Sequence, residues 1–282
     1  VWVRLAEEPL SVAARYGYAN QRGSALRDFT GLEIVDDPAA STLSLLPPQP
    51  MQPRPLLAQP PHVVLVVMES FATHLLRWQG PDFNLLGPLE PFWNRGWFFA
   101  RFLPSDNGSA GSILSMSVDL QYRPGTKQLS QSDQHQYFPT SSAAEFARAG
   151  YEPRFLYGGP LSWRKLGSFL PRQGFTEVAG QPQILEELGL DPETAACDWG
   201  VWDEHLFAAA ERRLREATRP QFITLFTTTN HPPYQLPPGL DLPELVPPPQ
   251  LLARSGPLDE LQRKQMRTYQ YACWSLGNFL AE

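Results

Sequence analysis

The sharpest pattern in the chain is an unbroken apolar run, Val63-Val-Leu-Val-Val-Met68, bounded by His62 and by Glu69-Ser70. A β-branched run of that length without alternation predicts a central parallel strand buried on both faces. Trp97–Leu103 (WFFARFL), Arg154–Tyr157 and Gln221–Phe226 read as further strands. Between them the apolar positions move to helical spacing. Leu206, Phe207, Ala210 and Leu214 share one face of a helix predicted over Asp203–Thr218, with Arg212, Arg213 and Arg215 elsewhere. Ser141–Ala149 predicts a short amphipathic helix closed by Gly150. Phe71–Trp78 can be helical, and a helix opens at Ser112 after the loop Pro104–Gly111. Strands alternating with helices predict an α/β fold, a three-layer α/β/α sandwich around a mostly parallel central sheet.

The first 46 residues carry only short helical patterns, such as Leu5–Tyr16. From Leu46 the sequence reads LPPQPMQPRPLLAQPP, which concentrates a proline content of 30 in 282 residues. Such a stretch is extended and stiff and marks a boundary. The expected organisation is an N-terminal connector over 1–60 and a main domain over 61–282. No run reaches the ~18 apolar residues that span a bilayer. Arg4, Glu7 and Glu8 break any signal-peptide apolar region. The chain starts without methionine, so the expectation is a piece excised from something longer. With 29 acidic against 23 basic residues the net charge is −6, which argues against a nucleic-acid binder. Two cysteines, Cys197 and Cys273, exclude a disulfide scaffold and a cysteine-rich zinc module.

In open α/β sheets, ligands bind beyond the carboxyl ends of the strands. Three polar clusters fall there: Glu69, the Ser105–Ser112 loop, and Asn230-His231. Each has an ordinary structural reading: a carboxylate that caps the next helix, a turn with its N-cap, and a rigid loop before two prolines. Together they make a chemical site. A carboxylate and a hydroxyl at neighbouring strand ends can hold a divalent cation, which lowers the hydroxyl's pKa and makes it a nucleophile. Backbone N–H groups at the following helix N-terminus would face a phosphate or sulfate.

Five segments, VVLVVMESF (63–71), PSDNGSAGSILSM (104–116), AAEFARAGYEPRFLYGG (143–159), WDEHLFAAAERRL (202–214) and ITLFTTTNHPPY (223–234), occur in one order. In that order and spacing the chain resembles the lipoteichoic acid synthase and phosphoglycerol transferase family, in the sulfatase-like branch of the alkaline phosphatase superfamily. The resemblance covers residues 61 to about 280. It implies an alkaline-phosphatase-like fold, with Glu69 as metal-binding acid and Ser109 as nucleophile and metal ligand, where the family usually has threonine. Ser112 is the weaker alternative. His231 would donate to phosphoryl oxygens or head-group hydroxyls. Trp163, Arg164 and Lys165 fall after the Gly-Gly as substrate-binding residues, and Asn107 joins them from the nucleophile loop; Trp163 also reads as a packing residue.

Two departures shape the expectation. The family completes its metal site with an Asp-His pair after a Tyr-x-Asp segment; here that segment is Tyr271–Gly277 with Cys273 in place of the aspartate, and no such pair follows. The domain is therefore expected to be C-terminally incomplete, binding metal poorly on its own, with Mn²⁺ favoured over Zn²⁺ or Mg²⁺. Neither cysteine lies in the Cys/Ser-x-Pro-x-Arg context of formylglycine chemistry, which disfavours sulfate-ester hydrolysis. The activity implied is an extracytoplasmic, metal-dependent phosphotransferase. It would move a phosphoglycerol-type group from a phospholipid donor to a glycan or lipid hydroxyl through a Ser-linked intermediate. The domain would be held at the cell membrane by an N-terminal portion and face the periplasm or cell exterior. Two alternatives stand beside it: an inactive relative that binds a lipid head group or protein partner, and a phosphodiesterase-type or sulfatase-type hydrolase on the same fold.

Overall fold

In the computed structural model, residues 60–99, 102, 106, 108–120, 128–132 and 135–282 are described. Residues 1–59 of the expected 1–60 connector, with its helical pattern at Leu5–Tyr16, lie outside them, as do Ser105 and Asn107. All the secondary structure below belongs to the unit formed by Pro61–Phe98 and Leu103–Glu282.

β1 (Val63–Val67) uses five of the six apolar residues. The helix α1 (Ser109–Val118) and the helix α2 (Ser142–Arg148) precede β2 (Glu152–Tyr157), which is followed by β3 (Glu177–Ala179). After α3 (Gln181–Leu188), the short strands β4 (Ala196–Cys197) and β5 (Gly200–Val201) form an antiparallel hairpin. Then come α4 (Asp203–Arg215), β6 (Gln221–Phe226) and finally α5 (Glu260–Ala281). The sheet order is β1-β6-β2-β3 and every pairing is parallel. β6 is central, its register running from Phe222 opposite Val63 to Phe226 opposite Val67, and from Gln221 opposite Glu152 to Phe226 opposite Tyr157.

All six residues of β6 are buried, as a strand covered on both faces requires. Its side chains alternate between two cores. Phe222 and Phe226 join Ile113, Leu114 and Val118 of α1 and Phe155 of β2. Ile223 and Leu225 join Leu206, Phe207, Ala209 and Ala210 of α4 and Ile184 of α3. Helices therefore cover both faces, giving the α/β sandwich. A further cluster sets Met68, Phe71, Leu75 and Leu85 against Met266, Tyr269, Ala272 and Cys273 of α5. At the amino ends of the strands, Gln221 donates from its backbone to His62 and from its side chain to Glu152. The carboxyl ends of β1, β2 and β6 all point the opposite way, where the polar clusters lie.

Four local expectations change. β1, expected as a central strand buried on both faces, lies at an edge of the described sheet, and only Val67 of its five residues is fully buried. Trp97–Phe99 and Phe102, the described residues of the expected Trp97–Leu103 strand, are not in a strand, and Trp97 is 91% exposed. β-propensity yields a strand only where a neighbouring strand and an apolar face receive it. Phe71–Trp78 condenses to one 3-10 turn at Leu76–Trp78, since so short a segment does not hold a helix by propensity. α1 begins at Ser109 rather than Ser112: Gly108 is extended at the N-cap, and its carbonyl accepts from Ser112 N. Among the described residues, no helix is long and apolar enough to cross a membrane.

Candidate functional site

The β1–β6 pairing ends in one backbone bond and one side-chain bond. Thr227 N donates to Val67 O (3.1 Å), and Glu69 N donates to Thr227 Oγ1 (2.9 Å). Asn230 then ties the two strand exits together. Its Nδ2 donates to the carbonyls of Glu69 (3.3 Å) and Ser70 (3.2 Å), while Thr268 Oγ1 of α5 donates to its Oδ1 (2.8 Å). These bonds hold Ser70 in the left-handed region (φ 50°), a conformation that costs a non-glycine residue on the order of 1–2 kcal/mol.

The result of this bracing is a buried carboxylate with a fixed direction. Glu69 accepts from Ser70 Oγ at Oε1 (3.0 Å) and from Ser109 Oγ at Oε2 (2.7 Å). The structure thus joins the two residues singled out for metal binding and nucleophilic attack, across 40 positions of sequence. The simple helix-cap reading of Glu69 is not what the structure has. Ser109 is the first residue of α1, where the unpaired N–H groups and the positive end of the helix favour an anion. Gly111 leaves room there for the Asp106 carboxylate: a Cβ at 111 would fall 1.9 Å from Asp106 Oδ2. Ser112, the alternative nucleophile, spends its hydroxyl on Asp106 O (2.9 Å).

Tyr157 and Phe226, the last residues of β2 and β6, stack with ring centroids 4.7 Å apart. Trp163 leans on both, at 5.8 and 6.1 Å. Burial, helped by the charge on Glu69, pushes the Tyr157 hydroxyl far above its ordinary range, so it stays protonated. Arg164 and Lys165 follow in successive left-handed conformations (φ 50° and 58°) and are exposed. Arg164 reaches Gln131 Oε1 (3.2 Å) and lies over the Trp163 ring; neither basic residue touches Glu69 or Ser109. His231 follows Asn230 directly and sets its Nδ1 2.9 Å from Pro232 O.

Asp203 was legible only as an acidic helix start, yet it is the anchor of the β6 exit. Its Oδ1 accepts from Thr228 N (3.2 Å), Thr229 N (3.1 Å) and Thr229 Oγ1 (2.8 Å), while Oδ2 is buried without a partner. Burial pushes its carboxyl up to about 6 in spite of those bonds. Thr227 and Thr268 escape pattern reading, and Asn230 is visible only as part of a polar strand end, because their partners are backbone groups or side chains far away in sequence.

Does this site hold a cation? Glu69 and Ser109 offer two oxygen donors, and no group of three or more His, Cys, Asp or Glu suited to a metal exists among the described residues. That is fewer than the four donors of a tetrahedral Zn²⁺ shell.

Among solved structures, the chain is similar to an alkaline phosphatase superfamily protein from Vibrio parahaemolyticus, with 22% identity, a TM-score of 0.62, and coverage of 79% of this chain and 50% of that one. It is also similar to the lipoteichoic acid synthase LtaP of Listeria monocytogenes (17% identity, TM-score 0.64, 91% and 57% covered). The zinc complex of the C-terminal periplasmic domain of EptC from Escherichia coli matches as well (11%, 0.55, 80% and 60%). The chain spans between half and three fifths of these proteins' lengths. At such identities the likeness establishes the fold. Residues 61–248, well over half of the chain, match the family model described as Sulfatase. By that match the chain belongs to the sulfatase family.

Proposed function

We propose that the protein is an extracytoplasmic phosphotransferase domain that moves a phosphoglycerol-type head group from a phospholipid to a glycan or lipid hydroxyl. One observation carries the reading: Ser109 Oγ lies 2.7 Å from the buried Glu69 carboxylate, on the first residue of a helix at the carboxyl end of a parallel sheet. Fold neighbours that make lipoteichoic acid or sit in a periplasm support it. Ser109 Oγ attacks phosphorus, forming the Oγ–P bond as the bond to diacylglycerol oxygen breaks. The hydroxyl's proton passes toward Glu69 and ends on the departing diacylglycerol. An acceptor hydroxyl then attacks the same phosphorus and returns Ser109 to its free form. Trp163, Arg164 and Lys165 would meet the head group, as would Asn107. A divalent cation, Mn²⁺ ahead of Zn²⁺ or Mg²⁺, is the proposed cofactor, and the described donors do not complete its shell.

The test is incubation of the intact membrane-held protein with radiolabelled phosphatidylglycerol and added Mn²⁺. Diacylglycerol release and a phosphoglyceryl adduct on Ser109 are expected. Ser109→Ala should lower turnover by at least 10³-fold, in keeping with loss of a nucleophile, while Ser109→Thr keeps it within about tenfold because the hydroxyl stays. Full turnover by Ser109→Ala would remove the assignment. The two-donor metal site favours a second reading, an inactive relative that binds a head group; it predicts phosphatidylglycerol binding without diacylglycerol release.

A further inference from the structure

The β4–β5 hairpin carries Trp199 on its turn, and its placement is tightly built. Val201 N donates to Gly158 O (2.8 Å). A Cβ on Gly200 would fall 2.2 Å from Gly158 O, and one on Gly159 would fall 2.7 Å from Trp199 O. The Gly158-Gly159 exit of β2 therefore exists in this form because the hairpin backbone lies directly on it. From this seat the indole makes two contacts with the loop after β6. Trp199 Nε1 donates to Pro232 O (2.7 Å), and the indole ring packs on the His231 imidazole with centroids 3.7 Å apart.

His231 Nδ1 lies 2.9 Å from the same Pro232 O. A carbonyl oxygen only accepts, so Nδ1 carries a hydrogen in this arrangement. In the neutral ring Nε2 is then a lone pair, and it has no hydrogen-bond partner among the described residues. A lone pair takes a proton; it does not donate to a phosphoryl oxygen. Trp199 is 37% exposed, so part of the indole stays open to solvent.

We propose that Trp199 is a positioning residue that holds His231 in its Nδ1–H tautomer, with Nε2 poised to receive the proton of the acceptor hydroxyl in the second half-reaction. The inference deepens the transferase reading and rests on it for its chemical meaning. The acceptor O–H bond breaks, its oxygen bonds to phosphorus, the Ser109 Oγ–P bond breaks, and the proton, held first at His231 Nε2, passes on through solvent to the freed Ser109 oxygen. The acceptor class that fits is an alcohol in a polyol or sugar, whose C–H face suits the open indole.

The experiment has two arms on the intact protein. Histidine labelled with ¹⁵N is read at about pH 8, where a free imidazole is neutral, with His231→Ala assigning the signal. The native protein and Trp199→Phe, which keeps an aromatic ring, should show Nδ1 protonated and Nε2 bare. Trp199→Leu should shift His231 toward the Nε2–H form. In the second arm, Trp199→Leu should slow transfer to a glycerol acceptor roughly tenfold or more, within the range of a displaced general base, and the phosphoglyceryl-Ser109 adduct should build up relative to native protein. Retention of the Nδ1–H tautomer in Trp199→Leu, or slowed transfer without adduct build-up, overturns the proposal. If native protein forms no adduct, the transferase reading falls, and the tautomer arm still decides whether Trp199 sets His231.

Discussion

Asp203 shows how much rests on one side chain. Its folded carboxyl lies near 6, above the ordinary 3.8, because burial disfavours the charge. The folded chain therefore holds this proton more tightly than the unfolded one, and the group's contribution to stability falls as pH rises from about 4 to about 6. The charged form costs about 3 kcal/mol above that window, at 1.36 kcal/mol per unit. Asp203→Asn keeps one acceptor for the Thr228 and Thr229 donors and loses the charge. It should melt above the native chain at about pH 7.5, with the gap closing by about pH 4 as the native carboxyl protonates. Asp203→Ala strips both backbone donors of their partner and should destabilise by about 1–3 kcal/mol for each. Melting curves of the three proteins at the two pH values check this. Asp203 was readable only as the start of a helix and Asn230 only as part of a polar strand end, because the value of each lies in partners that only the folded chain brings near. Glu69 was readable because it follows a strand pattern directly; Ser109 was singled out only by the family resemblance, since the sequence pattern opens the helix at Ser112.

At the scale of elements, legibility followed burial. Val63–Val67 and Gln221–Phe226 were visible as strands because β6 is covered on both faces and β1 adds an apolar run beside it. The described residues of the expected Trp97–Leu103 strand form none, because propensity says nothing about whether a neighbour is present. α5 was hidden: its Tyr271–Gly277 segment was read through its missing aspartate, yet Cys273 is simply a buried packing residue against Met68 and Phe71. α5 starts with a capping box in which Gln262 N donates to Asp259 Oδ1 (2.7 Å) and Asp259 N to Gln262 Oε1 (2.9 Å). Asp259→Ala should therefore lower stability by about 1 kcal/mol, seen as a lower urea midpoint with unchanged slope. A changed slope would mean that α5 unfolds apart from the sheet.

For the whole molecule, sheet order matters more than strand content. Pattern reading identified an α/β sandwich, but the position of β6 between β1 and β2 is a property of the tertiary fold. That placement has a consequence in time. Among the described strands β6 comes last in the chain, so during synthesis β1 and β2 wait without their common neighbour. About 150 residues separate β1 from β6, which at ~5–20 residues per second is roughly eight to thirty seconds. Nascent chains arrested before Gln221 should then be degraded rapidly by added protease, and chains arrested well beyond Phe226 should resist it. Equal resistance in both would show that the amino-terminal part settles without its keystone. Until β6 arrives, the valine-rich stretch that later supports Glu69 is the segment most in need of a chaperone.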